Sequence, residues 1–258
     1  MVTAPVVELV GLTRTFEERV AVDALDLVVQ AGEFFAFLGP NGAGKSTTIK
    51  MMAGMLRPSR GTATILGFDV AQSPLEVKRR IGVLPEEIQL YERLTPLETV
   101  HFTGSLYGLA HAEVGRRAGE LFDLLELSDR DRGKMIIDFS MGMRKKVALA
   151  CALLHGPRLL FLDEPFNGID AVTTRAIKHA LLQATGRGVT VFFSSHILEQ
   201  VERLCTRIGI INEGKLRCLG TLPELRVETG AASDATLEDV FVRVVGGDRQ
   251  QKGQLDFL

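Results

Sequence analysis

Eight residues constrain this chain more than any others. Gly39-Pro-Asn-Gly-Ala-Gly-Lys-Ser46 fits the pattern G-x-x-x-x-G-K-[ST], and its surroundings give the pattern physical content. Ahead of it, Phe34 to Leu38 is a short, wholly apolar run, as expected for a strand buried on both faces. Behind it, Ser46 to Leu56 reads as a helix stopped by Arg57-Pro58. Strand, glycine-rich turn and helix in this order aim successive backbone N–H groups and a helix N-terminus into one concavity, which suits phosphate. In such a loop, residues Gly39, Pro40, Asn41, Gly42, Ala43 and Gly44 cradle the α- and β-phosphates. Lys45 reaches the β/γ oxygens and the Ser46 hydroxyl ligates Mg²⁺. The loop by itself says nucleotide and leaves the enzyme open.

The rest of the chain alternates strand and helix patterns. Val6 to Val10, Val20 to Val29, Gly61 to Leu66, Ile81 to Leu84, Leu159 to Leu162 and Val189 to Phe193 read as strands. Pro74 to Arg80, with Ser73 as N-cap, reads as a helix, as do Ala171 to Thr185 and Ile197 to Leu204. Arg207 to Asn212 and Lys215 to Gly220 flank Glu213-Gly214, a hairpin signal. Residues 85–157 are nearly all helical in pattern (Pro96 to Leu109, Ala112 to Leu127, Met141 to Leu154), which suggests a helical subdomain inserted into an α/β core. Thr229 to Asp234 reads as a linker. Thr236 to Val245 is an amphipathic helix that packs on the core, and residues 246–258 form a polar, flexible tail.

Composition excludes several classes. Charged residues are 24 % and the net charge is −2, so no bulk electrostatic argument favours nucleic acid or anionic lipid. No apolar run approaches the roughly 20 residues of a membrane span. The N-terminus has neither a basic region nor a long apolar core, so no secretory signal is expected. Cys151, Cys205 and Cys218 are odd in number and lack CxxC spacing, which reads as free thiols in a reducing compartment.

Two further constellations carry chemistry. Leu159 to Leu162 runs into Asp163-Glu164, placing two acids at the end of a buried strand: Asp163 to hold Mg²⁺ and Glu164 to polarise an attacking water. Phe139-Ser-Met-Gly-Met-Arg144 opens the helix Met141 to Leu154, with Ser140 as N-cap and Gly142 allowing a phosphate to approach the first turn.

Together these motifs resemble the ATP-binding subunit of ABC transporters. The order is the family's own: phosphate loop, helical insertion, Ser-x-Gly signature, Asp-Glu, then Asp170 and His196. The resemblance covers about residues 5–245. It implies an α/β fold, a P-loop NTPase core of ABC ATPase type with an inserted helical subdomain and an antiparallel β-lobe at the N-terminus, all within one domain spanning 1–245. It also implies ATP and Mg²⁺, and hydrolysis of ATP to ADP and phosphate coupled to transport. Carried over residue by residue, Phe16 matches the adenine-stacking aromatic, where Tyr is commoner but the ring face is what matters. Residues Asn41 to Thr47 match the loop, Thr47 lying near the α-phosphate, with Thr48 beside it. Ser140, Gly142 and Met143 match the signature that meets a partner's γ-phosphate. Glu164 matches the base, and Asp170 the loop that couples two sites. His196 matches the switch histidine that contacts the γ-phosphate and orients the water.

Two positions depart from the family pattern. Phe-Ser-Met-Gly-Met stands for Leu-Ser-Gly-Gly-Gln, so Met143 lacks a polar side chain. Glu86 stands where a Mg²⁺-binding Gln is usual, which predicts altered metal dependence rather than loss of function. Both departures, and Leu237-Glu-Asp-Val-Phe241, are similar to exporter-type ATPases that serve separate membrane subunits. The implied partners are a second ATP-binding subunit, head to tail, and polytopic membrane subunits contacted through about 86–108, with no nucleic acid. The implied location is the cytoplasmic face of the cell membrane. Of the apolar residues there, Leu90, Tyr91, Leu94, Leu97 and Phe102 each read individually as subdomain core. The alternative is a soluble ABC-type ATPase uncoupled from transport. A GTP switch is disfavoured because Asn167-Gly-Ile-Asp170 lacks the Lys of a guanine reader.

Overall fold

The computed structural model describes residues 5–246. The chain opens with a long antiparallel pair, β1 (Pro5–Phe16) and β2 (Arg19–Gln30). There follow β3 (Phe34–Leu38), α1 (Lys45–Met52), β4 (Arg60–Ile65), β5 (Phe68–Asp69), α2 (Pro74–Lys78) and β6 (Ile81–Leu84). A helical stretch comes next: α3 (Pro96–Leu106), α4 (His111–Leu124), α5 (Asp129–Arg132), a 3₁₀ turn at Ile136–Asp138, and α6 (Met141–Leu154). The chain then returns through β7 (Leu159–Leu162), α7 (Ala171–Gly186), β8 (Thr190–Ser195), α8 (Leu198–Leu204), β9 (Arg207–Asn212) and β10 (Lys215–Gly220). It ends in α9 (Leu222–Glu228) and α10 (Leu237–Gly246).

Two sheets result. One is antiparallel, in the order β2-β1-β4-β5; the other runs β10-β9-β3-β8-β7-β6, parallel except for its β9–β10 edge. The second sheet separates two cores, and its apolar strands split by residue parity because successive side chains alternate faces. Phe34, Ala36 and Leu38 join Leu160, Leu162, Val191 and Phe193 on the side covered by α4, α6, α7 and α10. Phe35 and Phe37 join Leu159, Phe161 and Phe192 on the side covered by the antiparallel sheet and α1. The wholly apolar strands are thus buried on both faces, as expected.

The parallel register decides where chemistry is located. Leu38 lies beside Ser195, Phe193 beside Leu162, and Leu162 beside Leu84. The segments after β3, β6, β7 and β8 therefore emerge along one edge, the carboxyl edge, where open α/β sheets bind ligands.

Several local expectations are corrected. β1 runs on to Phe16 because a bulge around Gly11 interrupts its alternation while pairing to β2 continues. Ser73 stands at the N-cap of α2 but makes no side-chain cap; Pro74 sets that helix start instead. Helix α1 stops at Met52, with Gly54 at φ 66° two residues on. Helix α9 was not anticipated, although Thr221 and Glu224 form a capping box whose spacing is visible in the sequence. Tyr91, Leu97 and Phe102 are exposed rather than core, and Leu106 and Tyr107 extend the exposed apolar surface. Leu237 and Val240 of α10 are buried, with Phe241, Val244 and Val245 packed against the same core, as the amphipathic pattern predicts. The expected tail, beyond Gly246, lies outside the described residues. Cys151, Cys205 and Cys218 are free. Among the described residues no helix is long and apolar enough to cross a membrane.

Candidate active site

The turn after β3 leaves no room for side chains at two of its glycines. A Cβ on Gly39 would lie 2.4 Å from the Ile211 carbonyl oxygen, and one on Gly44, at φ 106°, would lie 2.5 Å from that of Ala21. The loop is thereby wrapped tightly between β2 and β9, and α1 starts directly from it. Lys45 is buried. Its Nζ donates to the carbonyls of Gly39 (2.7 Å) and Pro40 (3.3 Å) and lies 3.5 Å from Glu164 Oε1.

An open cleft of about 570 Å³ lies over this loop. Phe16, Pro40, Asn41, Gly42, Gly44, Lys45, Ser46, Thr47, Glu86 and Glu164 all border it. Its size is within the range of small-molecule sites, ~300–1,000 Å³. Phe16 ends β1 as an exposed ring, with the Arg14 guanidinium 4.4 Å from its centroid. Gly39 and Ala43 shape the loop without bordering the cleft; the Ala43 N–H donates to the Pro40 carbonyl. Thr48 also stays out of the cleft. It is fully buried, and its hydroxyl donates to the Gly44 carbonyl at 2.9 Å, one helical turn back, so it has no side-chain contact to offer a nucleotide.

Asp163 and Glu164 are both buried. Ser194, at the end of the neighbouring strand, joins them: its hydroxyl donates to Asp163 Oδ1 (2.6 Å) and accepts from the Glu164 N–H (2.9 Å). His196 Nδ1 lies 2.9 Å from Glu164 Oε2. One carboxylate therefore touches Lys45 through one oxygen and His196 through the other. Glu164 holds a left-handed backbone, φ 47°, which costs a non-glycine residue roughly 1–2 kcal/mol. Its contacts from α1, β8, α6 and His196 offset that strain.

Oxygen donors for a hard cation are present. Ser46 and Glu86 border the cleft and Asp163 lies at the end of β7 beside Glu164. Among the described residues no group of three or more His, Cys, Asp and Glu forms a closed metal cage. Mg²⁺ needs only one or two protein oxygens, its shell being completed by phosphate and water, and these donors are of that kind.

The signature residues lie elsewhere. Ser140 caps α6, accepting from the Met143 N–H at 3.3 Å, and is exposed, but neither it nor Gly142, Met143 or Asp170 borders the cleft. The direction a side chain would take at Gly142 faces Thr173, 3.0 Å away. The glycine thereby lets α6 and α7 approach closely at the signature turn. Asp170 caps α7 through the N–H groups of Val172 and Thr173. The Thr173 N–H and hydroxyl hold its carboxyl below the usual carboxylate range.

Three residues bearing on the site were not singled out from the sequence. Arg19 borders the cleft, with its guanidinium over Gly42. Ser194, two residues before His196, links the two acids as described above. Lys145 is buried, and its ammonium meets the backbone of the segment carrying Glu164.

This arrangement defines a P-loop nucleotide hydrolase: an anion cradle, a lysine, two strand-end acids and a histidine on one of them. The ABC transporter family profile matches residues 22–167. The linearmycin resistance ATP-binding protein LnrL of Bacillus subtilis is 39 % identical over 215 residues, which cover 83 % of this chain and 69 % of that protein. Some other curated relatives are longer, and the chain spans 42 % to 62 % of their length. A solved ATP-binding subunit of an ABC transporter superposes with a TM-score of 0.86 at 34 % identity, covering 93 % of this chain and 99 % of that one. A dimeric ATP-binding cassette in a post-hydrolysis state, bound to ADP and Pi, superposes with a TM-score of 0.77 at 26 % identity, covering 84 % and 98 %. The chain belongs to the ABC transporter family, as its ATP-binding ATPase domain.

Proposed function

We propose that two copies of this chain close head to tail around two ATP molecules and drive export through separate membrane subunits. The observation that carries this reading is the Glu164 carboxylate on the wall of the phosphate cleft, facing Lys45 through one oxygen and His196 through the other. The adenine would stack on Phe16, and the triphosphate would lie along Asn41 to Thr47, with Lys45 turning from Glu164 to the β/γ oxygens. Bound Mg²⁺, held by Ser46 with Asp163 and Glu86, would neutralise charge developing on the phosphates. Glu164 accepts a proton from water as the water attacks the γ-phosphorus. The bond to the bridging oxygen breaks, giving ADP and phosphate, and His196 keeps the carboxylate aimed.

The exposed signature supports the dimer. Ser140 and the free first-turn N–H groups of α6 form an anion-seeking end outside the chain's own cleft. A second copy presenting its ATP there would share the γ-phosphate between one protomer's Lys45 and its partner's Ser140. Hydrolysis removes the bridge and the dimer opens. Exposed Tyr91, Leu97, Phe102 and Leu106 give residues 86–108 apolar surface to offer a membrane subunit. The resistance named for the Bacillus relative fits export.

Mild-detergent capture of the chain from its native membranes tests the transport reading. A stoichiometric polytopic partner is the expected result. ATPase recovered only in the soluble fraction would shift the reading to an uncoupled ATPase. Two substitutions test the cleft. Phe16→Ala is expected to weaken ATP by roughly 5–150-fold, from about 1–3 kcal/mol of base stacking, whereas Phe16→Tyr leaves it near parent; nucleotide titration reads both. Glu86→Gln is expected to raise the Mg²⁺ concentration needed for half-maximal turnover several-fold, with turnover at saturating metal nearly unchanged.

A further inference from the structure

The α6 helix sends one side chain into the segment that carries Glu164. Lys145 is 2 % exposed. Its Nζ donates to the carbonyl oxygens of Glu164 (2.8 Å), Pro165 (3.2 Å) and Asn167 (2.7 Å). An ammonium has three N–H donors and no acceptor, so this cup of carbonyls saturates it. The fit is specific to that shape: a planar guanidinium cannot direct three donors onto three converging oxygens.

Glu164 needs such a restraint. Its φ of 47° is unfavourable for a side chain of its kind, and its carboxylate must face Lys45 and His196 at once. Ser194 fixes the peptide before Glu164 through the N–H, and Lys145 fixes the peptide after it through the carbonyl. With both peptide planes held, the residue between them keeps its left-handed backbone.

We propose that Lys145 is a positioning residue for hydrolysis: seated in the Glu164–Pro165–Asn167 carbonyl cup, it locks the Glu164 backbone so that the carboxylate addresses the attacking water. Burial lowers the Lys145 pKa, but the nearby Glu164 and Glu86 carboxylates act against that shift and favour the charged form the cup requires. The position of Lys145 adds a consequence. Gly142, three residues earlier in α6, packs on Thr173 of α7, whose hydroxyl donates to Asp170. The turn capped by Ser140 and the segment holding Glu164 thus belong to one clamped unit.

The inference rests on Glu164 being the base, so the experiment carries that control. ATP turnover by the full chain, with Mg²⁺, is measured for the parent, Glu164→Gln, Lys145→Met, Lys145→Arg and the Glu164→Gln/Lys145→Met double variant. KM for ATP and ATP affinity are recorded for each. Lys145→Met is expected to lower kcat at least tenfold while KM and ATP affinity stay within about threefold. Lys145→Arg, which restores charge without the three-way fit, is expected to recover part of the loss. The double variant is expected to be no slower than Glu164→Gln alone, because two changes acting through one group do not multiply. If Lys145→Met does not fold, Lys145→Arg carries the test by the same kcat-against-KM criterion. Parent-like kcat in the Lys145 variants, a loss seen wholly in KM, or losses that multiply in the double variant would overturn the inference. Glu164→Gln turning over like the parent would overturn the reading beneath it instead.

Discussion

Lys45→Ala is expected to weaken ATP binding by about 10²–10⁴-fold. Lys45 is the buried cation of the cleft, 3.5 Å from one carboxylate, with a second, that of Glu86, on the cleft wall. A polyanion entering after its removal would meet both acids without the opposing charge. Breaking a buried charge pair by removing one member costs about 3–5 kcal/mol, and each 1.4 kcal/mol is a factor of about ten. Lys45→Arg is not expected to rescue binding. The ammonium sits 2.7 Å from the Gly39 carbonyl inside a loop already closed against Ile211 and Ala21, and a guanidinium overfills that space. Isothermal titration with ATP and Mg²⁺ reads the affinity. A melting curve separates this loss from unfolding.

The second large effect is on turnover. Glu164→Gln is expected to lower kcat by about 10²–10⁴-fold, the usual contribution of a general base, with ATP still bound. The amide keeps the volume of the carboxylate and keeps hydrogen-bonding capacity toward His196, but it cannot take the proton from water. It also removes a negative charge from beside the bound phosphates, so affinity is expected to hold or rise. Radiolabelled phosphate release measures the rate. Affinity that falls in step with turnover would mean Glu164 serves binding instead.

What the sequence made legible is what short segments encode. The phosphate loop, Asp163-Glu164 and His196 each follow an apolar strand, and parallel strands in register carry their ends to one edge. A reader needs only the strands and their direction to gather them. Residues acting through packing were not legible. Ser194 matters because β8 lies beside β7. Lys145 matters because α6 crosses the segment after β7, which turns an ordinary lysine in a basic triplet into a buried one. The closeness of Gly142 to Thr173 is likewise a matter of how α6 and α7 pack, which nothing local reveals. Thr48 was read with its neighbours as a nucleotide contact, whereas the helix turns its hydroxyl inward to Gly44. The exposure of Tyr91, Leu97 and Phe102 is not legible for the same reason: apolar residues in and just before a short helix read as core, and only the packed subdomain shows which of them stay uncovered.

The shared site is the centre of this account, and sedimentation velocity of Glu164→Gln tests it most directly. With saturating ATP and Mg²⁺ the variant is expected to sediment as a dimer, and to return to monomer when nucleotide is withheld or when Ser140→Arg is added at the facing signature. A variant that binds ATP by titration yet remains monomeric would contradict the shared-site mechanism.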